Sequence, residues 1–304
     1  MGEVNNYMCD YLGLAKYNAD FWNGTVFRGR RKIKMWQLHR HDKEYYKTTN
    51  RRKSESIRSD VQMYFRGKKS MVLGVEVMET VDYTIPVRVM DYNVQELQRQ
   101  IKDLKLRNRK DNKNSAGVYL YGMKKEDRLM PIHTIALYCG KDEYDGANGT
   151  LEMMDVEGLD KECKSLLIDY PLRIYNLKDL KEENYETSLR EIIAVFKRSK
   201  DKEDMKEYYL EHKDRFRELD DISIDTMGVL IGKKTLKMFR QKGGGLDLCK
   251  AFEDERAEGK AEGKAEGALE MLFDLVKDGV LKLEEAAKRV NMSEEVFLKK
   301  MQAG

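Results

Sequence analysis

Two β-like runs joined by a turn organise the first third of the chain. Residues 57–65 and 70–84 are rich in the β-branched, aromatic and aliphatic residues of strands, and Arg66-Gly67-Lys68-Lys69 separates them as a turn signal. This pattern predicts a hairpin of two central strands. Pro86 ends the second run, and further elements are predicted as a helix at 91–106 and strands at 129–139 and 169–177. The alternation favours an α/β fold with a mixed sheet flanked by helices.

Helical segments flank this region on both sides. Apolar residues at helical spacing predict an amphipathic helix over 10–26, whereas the polar stretch 39–53 is expected to be a mobile loop or an exposed helix. From about residue 185 onward the chain is predominantly helical. We therefore divide the 304 residues into a main domain at 1–190, a helical extension at 191–245, a linker at 246–268 and a small helical module at 269–304.

The C-terminal part of the chain combines a repeat with a short helical motif. Residues 257–260 and 261–264 repeat the sequence AEGK, and each glycine opposes helix formation by about 1 kcal/mol relative to alanine. A flexible, partly helical linker is therefore predicted. The segment 283–301 resembles a small helix-turn-helix, a motif that can read DNA but in so short a tail can equally serve dimerisation or partner docking. A homodimer or higher oligomer formed through these helices is one interpretation.

Local charge is more informative than net charge in this sequence. The 57 basic and 54 acidic residues leave a net charge of only +3, yet basic residues strongly outnumber acidic ones between Arg28 and Arg66. Such an excess indicates a phosphate-binding surface or, alternatively, a solvated loop. Trp36, in this region, is interpreted as a packing residue rather than a base-stacking platform. The candidates for contact with a DNA backbone are Arg51, Arg52, Lys53, Arg58, Lys68, Lys69 and Arg88.

Cysteine usage and hydropathy predict a cytoplasmic protein. The four cysteines, Cys9, Cys139, Cys163 and Cys249, have neither metal-ligand nor paired spacing, so we expect reduced thiols. The first residues lack the apolar core of a signal peptide, and no apolar run approaches the roughly 20 residues of a membrane span. We therefore expect no association with a membrane.

Two carboxylates in the predicted hairpin are the candidates for a metal site. Asp60 begins the first strand, and Glu76 lies among aliphatic residues in the second. A carboxylate is costly to bury unless it is paired or metal-bound, which makes Glu76 the stronger candidate. The alternative is that Glu76 faces solvent on a half-exposed strand and pairs with Arg88 or Lys69.

Several separated blocks of the chain resemble one protein family. KYNADFWNGTVFRGR contains Ala19-Asp20-Phe21-Trp22-Asn23, which is similar to the family's opening helix block. LMPIHTIALYCGKDEYDG is similar to its third strand and exit loop. A third block of the family consists of a strand, a Tyr-x-x-Pro-x-Arg element and a helix, and it resembles the stretch VLGVEVMETVDYTIPVRVMDYNVQELQRQI. The matching positions, in order, are Glu76, Tyr83, Pro86, Arg88, Tyr92 and Gln100. From about Leu12 to Gly267 the chain thus resembles transposase-like proteins related to recombination-promoting nucleases, whose fold is the restriction-endonuclease-like PD-(D/E)xK fold.

The resemblance implies endonuclease action on DNA that depends on Mg²⁺ or Mn²⁺, in mobile elements or in defence against phage. Carried over to this sequence, Asp60 and Glu76 would be the metal ligands. Asp20 would be an accessory acid near the metal, and Gln100 would act from the helix that follows the strands. Asp20 has an alternative interpretation, in which it caps backbone groups or pairs with a nearby basic residue.

Met78 departs from the family pattern, which has Gln or Lys at this position. A thioether carries no charge and donates no hydrogen bond, so it cannot replace lysine at the attacking water. Gln100, one of Lys68 and Lys69, or a second metal ion would have to compensate, and restoring Lys or Gln at residue 78 should raise cleavage on an intact scaffold. The alternatives to an active endonuclease are a degenerate nuclease fold that binds DNA or a partner, and an interaction protein that oligomerises through its tail.

Overall fold

The computed structural model describes residues 2–40, 45–49, 53–57, 60–111, 122–232, 267–290 and 292–303. The chain forms two compact units, Met1–Leu246 and Asp247–Gly304. Most of the predicted linker, 246–266, lies outside the described residues.

A five-stranded mixed sheet forms the centre of the first unit. The described strands are β1 (Leu38–Arg40), β2 (Tyr45–Thr49), β3 (Lys53–Ile57), β4 (Val61–Phe65), β5 (Met71–Met78), β6 (Ile132–Tyr138) and β7 (Arg173–Asn176). The order in the sheet is β1-β4-β5-β6-β7. The pairs on the β1 side of β5 are antiparallel, and the pairs on the β7 side are parallel. The mixed α/β architecture predicted from the sequence is therefore present.

Strand β5 lies in the middle of the sheet and is buried along nearly its whole length. Strands covered on both faces have nearly continuous apolar sequences, and MVLGVEVM fits that description except for Glu76. The predicted hairpin is confirmed, since β4 pairs with β5 in antiparallel register from Val61↔Val75 to Phe65↔Met71. Both strands are shorter than the sequence runs at 57–65 and 70–84.

Helices surround this sheet. The described helices of the first unit are α1 (Glu3–Leu12), α2 (Ala15–Thr25), α3 (Ile85–Asp111), α4 (Lys161–Ser165), α5 (Leu189–Arg198), α6 (Lys202–Glu211), α7 (Lys213–Arg217) and α8 (Asp221–Leu230). The single helix predicted over 10–26 is wrong, because two helices meet there. Gly13 ends α1, with its N–H donated to the carbonyl of Cys9 at 2.7 Å, and Leu14 takes an extended conformation before α2.

Helix α3 begins earlier than its sequence periodicity predicts. Pro86, which the sequence reading places at the end of a strand, lies in the first turn of α3. Proline is tolerated there because first-turn N–H groups have no partner within the helix. Ile85 and Val89 pack against Met78, Ala136 and other core residues of the sheet, so the start of α3 is fixed against the C-terminal ends of β5 and β6.

The prediction of a loop or exposed helix over 39–53 is wrong for the residues that are described. His39 and Arg40 belong to β1. Strands β2 and β3 form a separate two-stranded sheet, paired antiparallel from Tyr45↔Ile57 to Thr49↔Lys53. Tyrosine, threonine and isoleucine favour strands, and here that preference outweighs the charged residues between them.

The described part of the second unit is helical. Its described helices are α9 (267–277), α10 (Leu283–Arg289) and α11 (Glu294–Ala303). A compact core of Leu272, Phe273, Ala286, Ala287 and Phe297 holds them together. Across the described part of the chain, no helix is long and apolar enough to cross a bilayer.

Candidate functional site

Asp60 and Glu76 meet at one edge of the β4–β5 hairpin. The register Val61↔Val75 puts Asp60, which immediately precedes β4, opposite Glu76. The Asp60 N–H donates to Glu76 Oε1 at 3.1 Å, and the Val77 N–H donates to Asp60 Oδ2 at 2.8 Å. The backbone N–H of Asp60 therefore contacts the Glu76 carboxylate, and the backbone N–H of Val77 contacts the Asp60 carboxylate.

An asparagine from α1, which sequence reasoning missed, completes this arrangement. Asn5 Nδ2 donates to Asp60 Oδ2 at 3.2 Å and to the Val77 carbonyl at 2.7 Å. Cys9 Sγ donates to Asn5 Oδ1 at 3.1 Å, which fixes the orientation of the amide. Nothing in the local sequence marks Asn5, because its role depends on α1 packing beside β5.

Arg88 brings a positive charge to the buried Glu76. The Glu76 side chain is 0% exposed, so the alternative of a solvent-facing carboxylate is wrong. The expected pairing with Arg88 is present, with Arg88 Nη2 3.6 Å from Glu76 Oε2. A short connection, residues 79–84, joins β5 to α3 and brings Arg88, in the first turns of the helix, back to Glu76.

The guanidinium of Arg88 is held from a second side. It forms an ion pair with Asp82 and donates to the Tyr92 hydroxyl, with Nη2 at 3.1 Å. The Arg88 side chain remains 41% exposed. The Arg88 side chain is therefore partly exposed, while its guanidinium contacts Glu76, Asp82 and Tyr92.

The contribution of the Asp60 carboxylate to the free energy of unfolding varies with pH. Burial raises the pKa of Asp60 above its ordinary value, against the lowering effects of the Val77 N–H, Asn5 and Arg88. A carboxyl whose pKa is raised on folding contributes stability that is present below its unfolded-state pKa and is lost as pH rises through its folded-state pKa.

We expect Asp60→Asn to be more stable than the wild type at neutral pH. In EDTA, the unfolding free energy of the wild type should fall relative to that of the variant as pH rises above about 4, by at most about 1.4 kcal/mol per pH unit. Denaturant titrations from acidic to neutral pH measure this difference. A wild type that gains stability relative to the variant over that range would contradict the raised pKa.

Met78 points into the protein core. The residue is 4% exposed and packs in an apolar cluster with Ile85, Val89, Ala136, Tyr138 and Leu172. It shares one face of β5 with Glu76, because residues two apart on a strand lie on the same side. The position that carries Gln or Lys in the resembled family therefore serves here as a packing position between the sheet and α3.

Gln100 lies elsewhere on α3. Its Nε2 donates to Glu96 Oε1 at 3.0 Å, and its Oε1 accepts from the Met130 N–H at 2.7 Å. Twelve residues separate it from Arg88, which is about 18 Å along a helix axis. Gln100 is thus buried in a second polar cluster and does not reach the Asp60–Glu76 pair.

Of the basic residues that are candidates for DNA contact, some lie in the described β4–β5 turn and others lie outside the described residues. Lys68 and Lys69 lie exposed in the β4–β5 turn, and Lys69 precedes Glu76 by seven residues, about 23 Å along a strand. Neither lysine can take the place of the missing lysine at residue 78. Arg51, Arg52 and Arg58 lie outside the described residues, and for Lys53 only its place in β3 is described.

Asp20 belongs to a different cluster. It is buried on α2 and pairs with Arg31, Nη1 to Oδ1 at 2.6 Å. It also accepts from the N–H groups of Glu186 and Thr187 and from the Thr187 hydroxyl. These contacts match the alternative of backbone capping and a basic partner, and they tie α2 to the segment that leads into α5.

We expect Asp20→Asn to destabilise the first unit by about 2 kcal/mol, because hydrogen bonds to a charged group are worth about 1.5–3 kcal/mol. The amide retains one acceptor oxygen but loses the charge that pairs with Arg31. Chemical denaturation measures the loss. Arg31→Gln in the Asp20→Asn background should add little, and full additivity of the two changes would argue against the pairing.

Asp60 and Glu76 provide two carboxylates, which is fewer ligands than a metal site made of protein groups alone would need. Mg²⁺ prefers oxygen ligands and is commonly held by one or two carboxylates together with substrate phosphates and water. Within the described residues, no group of three or more His, Cys, Asp or Glu side chains is placed to hold a metal. Asp60 and Glu76 supply oxygen atoms of the kind that Mg²⁺ prefers, and Arg88 is the cation beside Glu76.

Comparison with known proteins does not identify a relative. No protein-family model matches the chain, and no match was found among curated proteins or solved structures. Function must therefore be inferred from the contacts of Asp60, Glu76 and Arg88.

Proposed function

We propose that this protein is a metal-dependent DNA endonuclease with a restriction-endonuclease-like core, of the kind found in recombination-promoting nucleases. One observation supports the proposal: the N–H of Asp60, the residue before β4, donates to Glu76 Oε1 at 3.1 Å, so two acidic residues adjoin at this edge of the hairpin. A buried, ion-paired carboxylate such as Glu76 commonly contributes no more to folding stability than an apolar residue of similar size would. A functional role accounts for its presence.

Each residue has a role that follows from its contacts. Asp60 and Glu76 would hold Mg²⁺ or Mn²⁺, and the bound metal would polarise the scissile phosphate and activate water. Asn5 positions Asp60. Arg88 is held by Asp82 and Tyr92, and its side chain is partly exposed, so we infer that it contacts a phosphate oxygen from the side of α3 and supplies the positive charge that Met78 lacks.

A degenerate, binding-only nuclease fold is the second candidate, and a specific observation favours it. Arg88 lies 3.6 Å from Glu76 Oε2, so this chain already provides a cation where a metal would bind. Met78 is committed to the core. In this alternative the protein binds DNA or a partner without cutting, and divalent metals leave its stability unchanged. Oligomerisation through the C-terminal helices remains a prediction under either candidate.

The test is cleavage of plasmid and linear DNA by the purified protein in Mg²⁺, Mn²⁺ or EDTA. We expect metal-dependent cutting that falls by at least about 100-fold in Asp60→Ala and in Glu76→Ala, since a metal supplies several kcal/mol of transition-state stabilisation. Glu79→Ala is the matched control, because Glu79 is an exposed carboxylate just beyond β5. Absence of cutting, or cutting that both variants retain, would favour the binding-only candidate.

A further inference from the structure

Trp36 is exposed on a rigid turn. Its exposed fraction is 70%, whereas Trp22, the other tryptophan of the chain, is 1% exposed. The sequence-based interpretation of Trp36 as a packing residue is therefore wrong. The Trp36 indole offers a large apolar face and a polar N–H to a ligand.

The turn that presents Trp36 is fixed by hydrogen bonds. Met35–Gln37 form a 3₁₀ turn in which the Gln37 N–H donates to the Lys34 carbonyl and Gln37 Oε1 accepts from the Lys34 N–H, both at 2.9 Å. Just upstream, the buried Asn23 on α2 accepts from the Lys32 and Ile33 N–H groups at 2.8 and 2.9 Å. The backbone of the turn is thus anchored to α2.

Basic side chains adjoin this turn from a second segment. The Arg66 N–H donates to the Gln37 carbonyl at 2.7 Å, which places the β4–β5 turn beside the Trp36 turn. We call Lys34, Trp36, Arg66, Lys68 and Lys69 the Trp36 surface, and all five are exposed. Within the described residues none of its four cations forms an ion pair, and neither 21–41 nor 61–75 contains an acidic residue.

We propose that the Trp36 surface binds an unpaired DNA strand, with a base stacked on the indole and phosphates on the four cations. Exposed aromatic groups beside basic side chains are how proteins bind single strands without sequence preference. An acidic protein partner would satisfy the cations but gives no role to an exposed indole. Met71, just after the β4–β5 turn, is about 16 Å along β5 from Glu76, so binding at the Trp36 surface is separate from the proposed metal site.

The two tryptophans make a direct test available. The full chain, in EDTA so that metal-dependent cleavage does not contribute, is titrated with an oligodeoxythymidylate of about 16 nucleotides. We expect quenching of tryptophan emission and a dissociation constant that rises about tenfold in Trp36→Ala, as for the loss of one stacked base. Trp36→Phe should retain most of the affinity while abolishing the quenching.

Salt dependence tests the cations. The variant Lys68→Gln/Lys69→Gln should reduce the slope of log K against log salt by about 1.4, or about 0.7 for each lost phosphate contact. Lys161→Gln/Lys164→Gln, with two exposed lysines of α4, should leave the slope unchanged. The proposal would be overturned if wild type and Trp36→Ala bound the oligonucleotide with equal affinity. It would also be overturned if polyglutamate displaced the bound oligonucleotide as well as an unlabelled oligodeoxythymidylate does. Metal-dependent plasmid cutting is measured separately on the same variants, so failure of one proposal does not imply failure of the other.

Discussion

Met78→Lys is expected to lower the unfolding free energy by about 4 kcal/mol, because burying an ammonium group shifts its pKa by several units at about 1.4 kcal/mol each. The new charge would lie in the cluster of Ile85, Val89 and Tyr138 that joins β5 to α3. The sequence alone suggests that lysine at this position should increase cleavage. The packing of Met78 predicts instead that the variant is too destabilised to show such a gain.

Two controls separate burial of charge from change of shape. Met78→Leu should cost less than about 1.5 kcal/mol, as volume-conserving apolar substitutions do. The penalty in Met78→Lys should shrink as pH rises from 7 to 9, because the neutral amine is the form that the core accepts and its folded-state pKa is depressed. Denaturant unfolding at each pH measures both effects. A stable Met78→Lys protein that cleaves DNA faster than wild type would show that the lysine reaches the carboxylates after all.

Arg88→Ala is expected to destabilise the first unit by about 3 kcal/mol, the lower end of the range for removing one partner of a buried ion pair, because Arg88 is partly exposed. The change removes the guanidinium that lies against Glu76, Asp82 and Tyr92. The double variant Arg88→Ala/Glu76→Gln should recover part of the loss, since the buried group is then neutral. A double-mutant cycle from chemical denaturation gives the coupling between the two side chains.

The same variant separates the two candidate functions. If Asp60 and Glu76 can hold a metal, Mg²⁺ or Mn²⁺ should raise the thermal midpoint of Arg88→Ala by mass action. The metal should have no such effect on Arg88→Ala/Glu76→Gln. If neither metal changed the thermal midpoint of Arg88→Ala, the result would indicate that Asp60 and Glu76 pair with Arg88 and do not bind a divalent cation from solution.

The hairpin and the two carboxylates could be predicted from the sequence because their signals are local. Strand composition, a glycine-containing turn and a lone glutamate among aliphatic residues all lie within 57–84. The break at Gly13 and the start of α3 at Ile85 were less accessible, because helical periodicity there is compatible with several boundaries. The charge of the stretch 39–53 predicts a loop or exposed helix, whereas the β propensity of its tyrosines and threonines favours the strand β2 that is present.

The support of the site could not be predicted for a different reason. Asn5 reaches Asp60 only because α1 packs beside β5. Asp20 instead accepts hydrogen bonds from the N–H groups of Glu186 and Thr187, which lie far along the chain. Gln100 has the residue type that the resembled family requires but lies in a different polar cluster of α3. Residue type and order cannot distinguish such cases without the tertiary packing.

The placement of Glu76 on a central strand also bears on how the site is assembled in time. Its neighbours come from α1, from the residue before β4 and from α3. The β4–β5 hairpin by itself brings Asp60 to Glu76, whereas the contact of Asn5 with Val77 requires α1 to close a much longer loop. Contacts with large sequence separation form slowly, because the chain must first close long loops. A newly made or refolding molecule should therefore complete the site only when α1 has docked on the hairpin. Partly folded chains would then lack the proposed nuclease site.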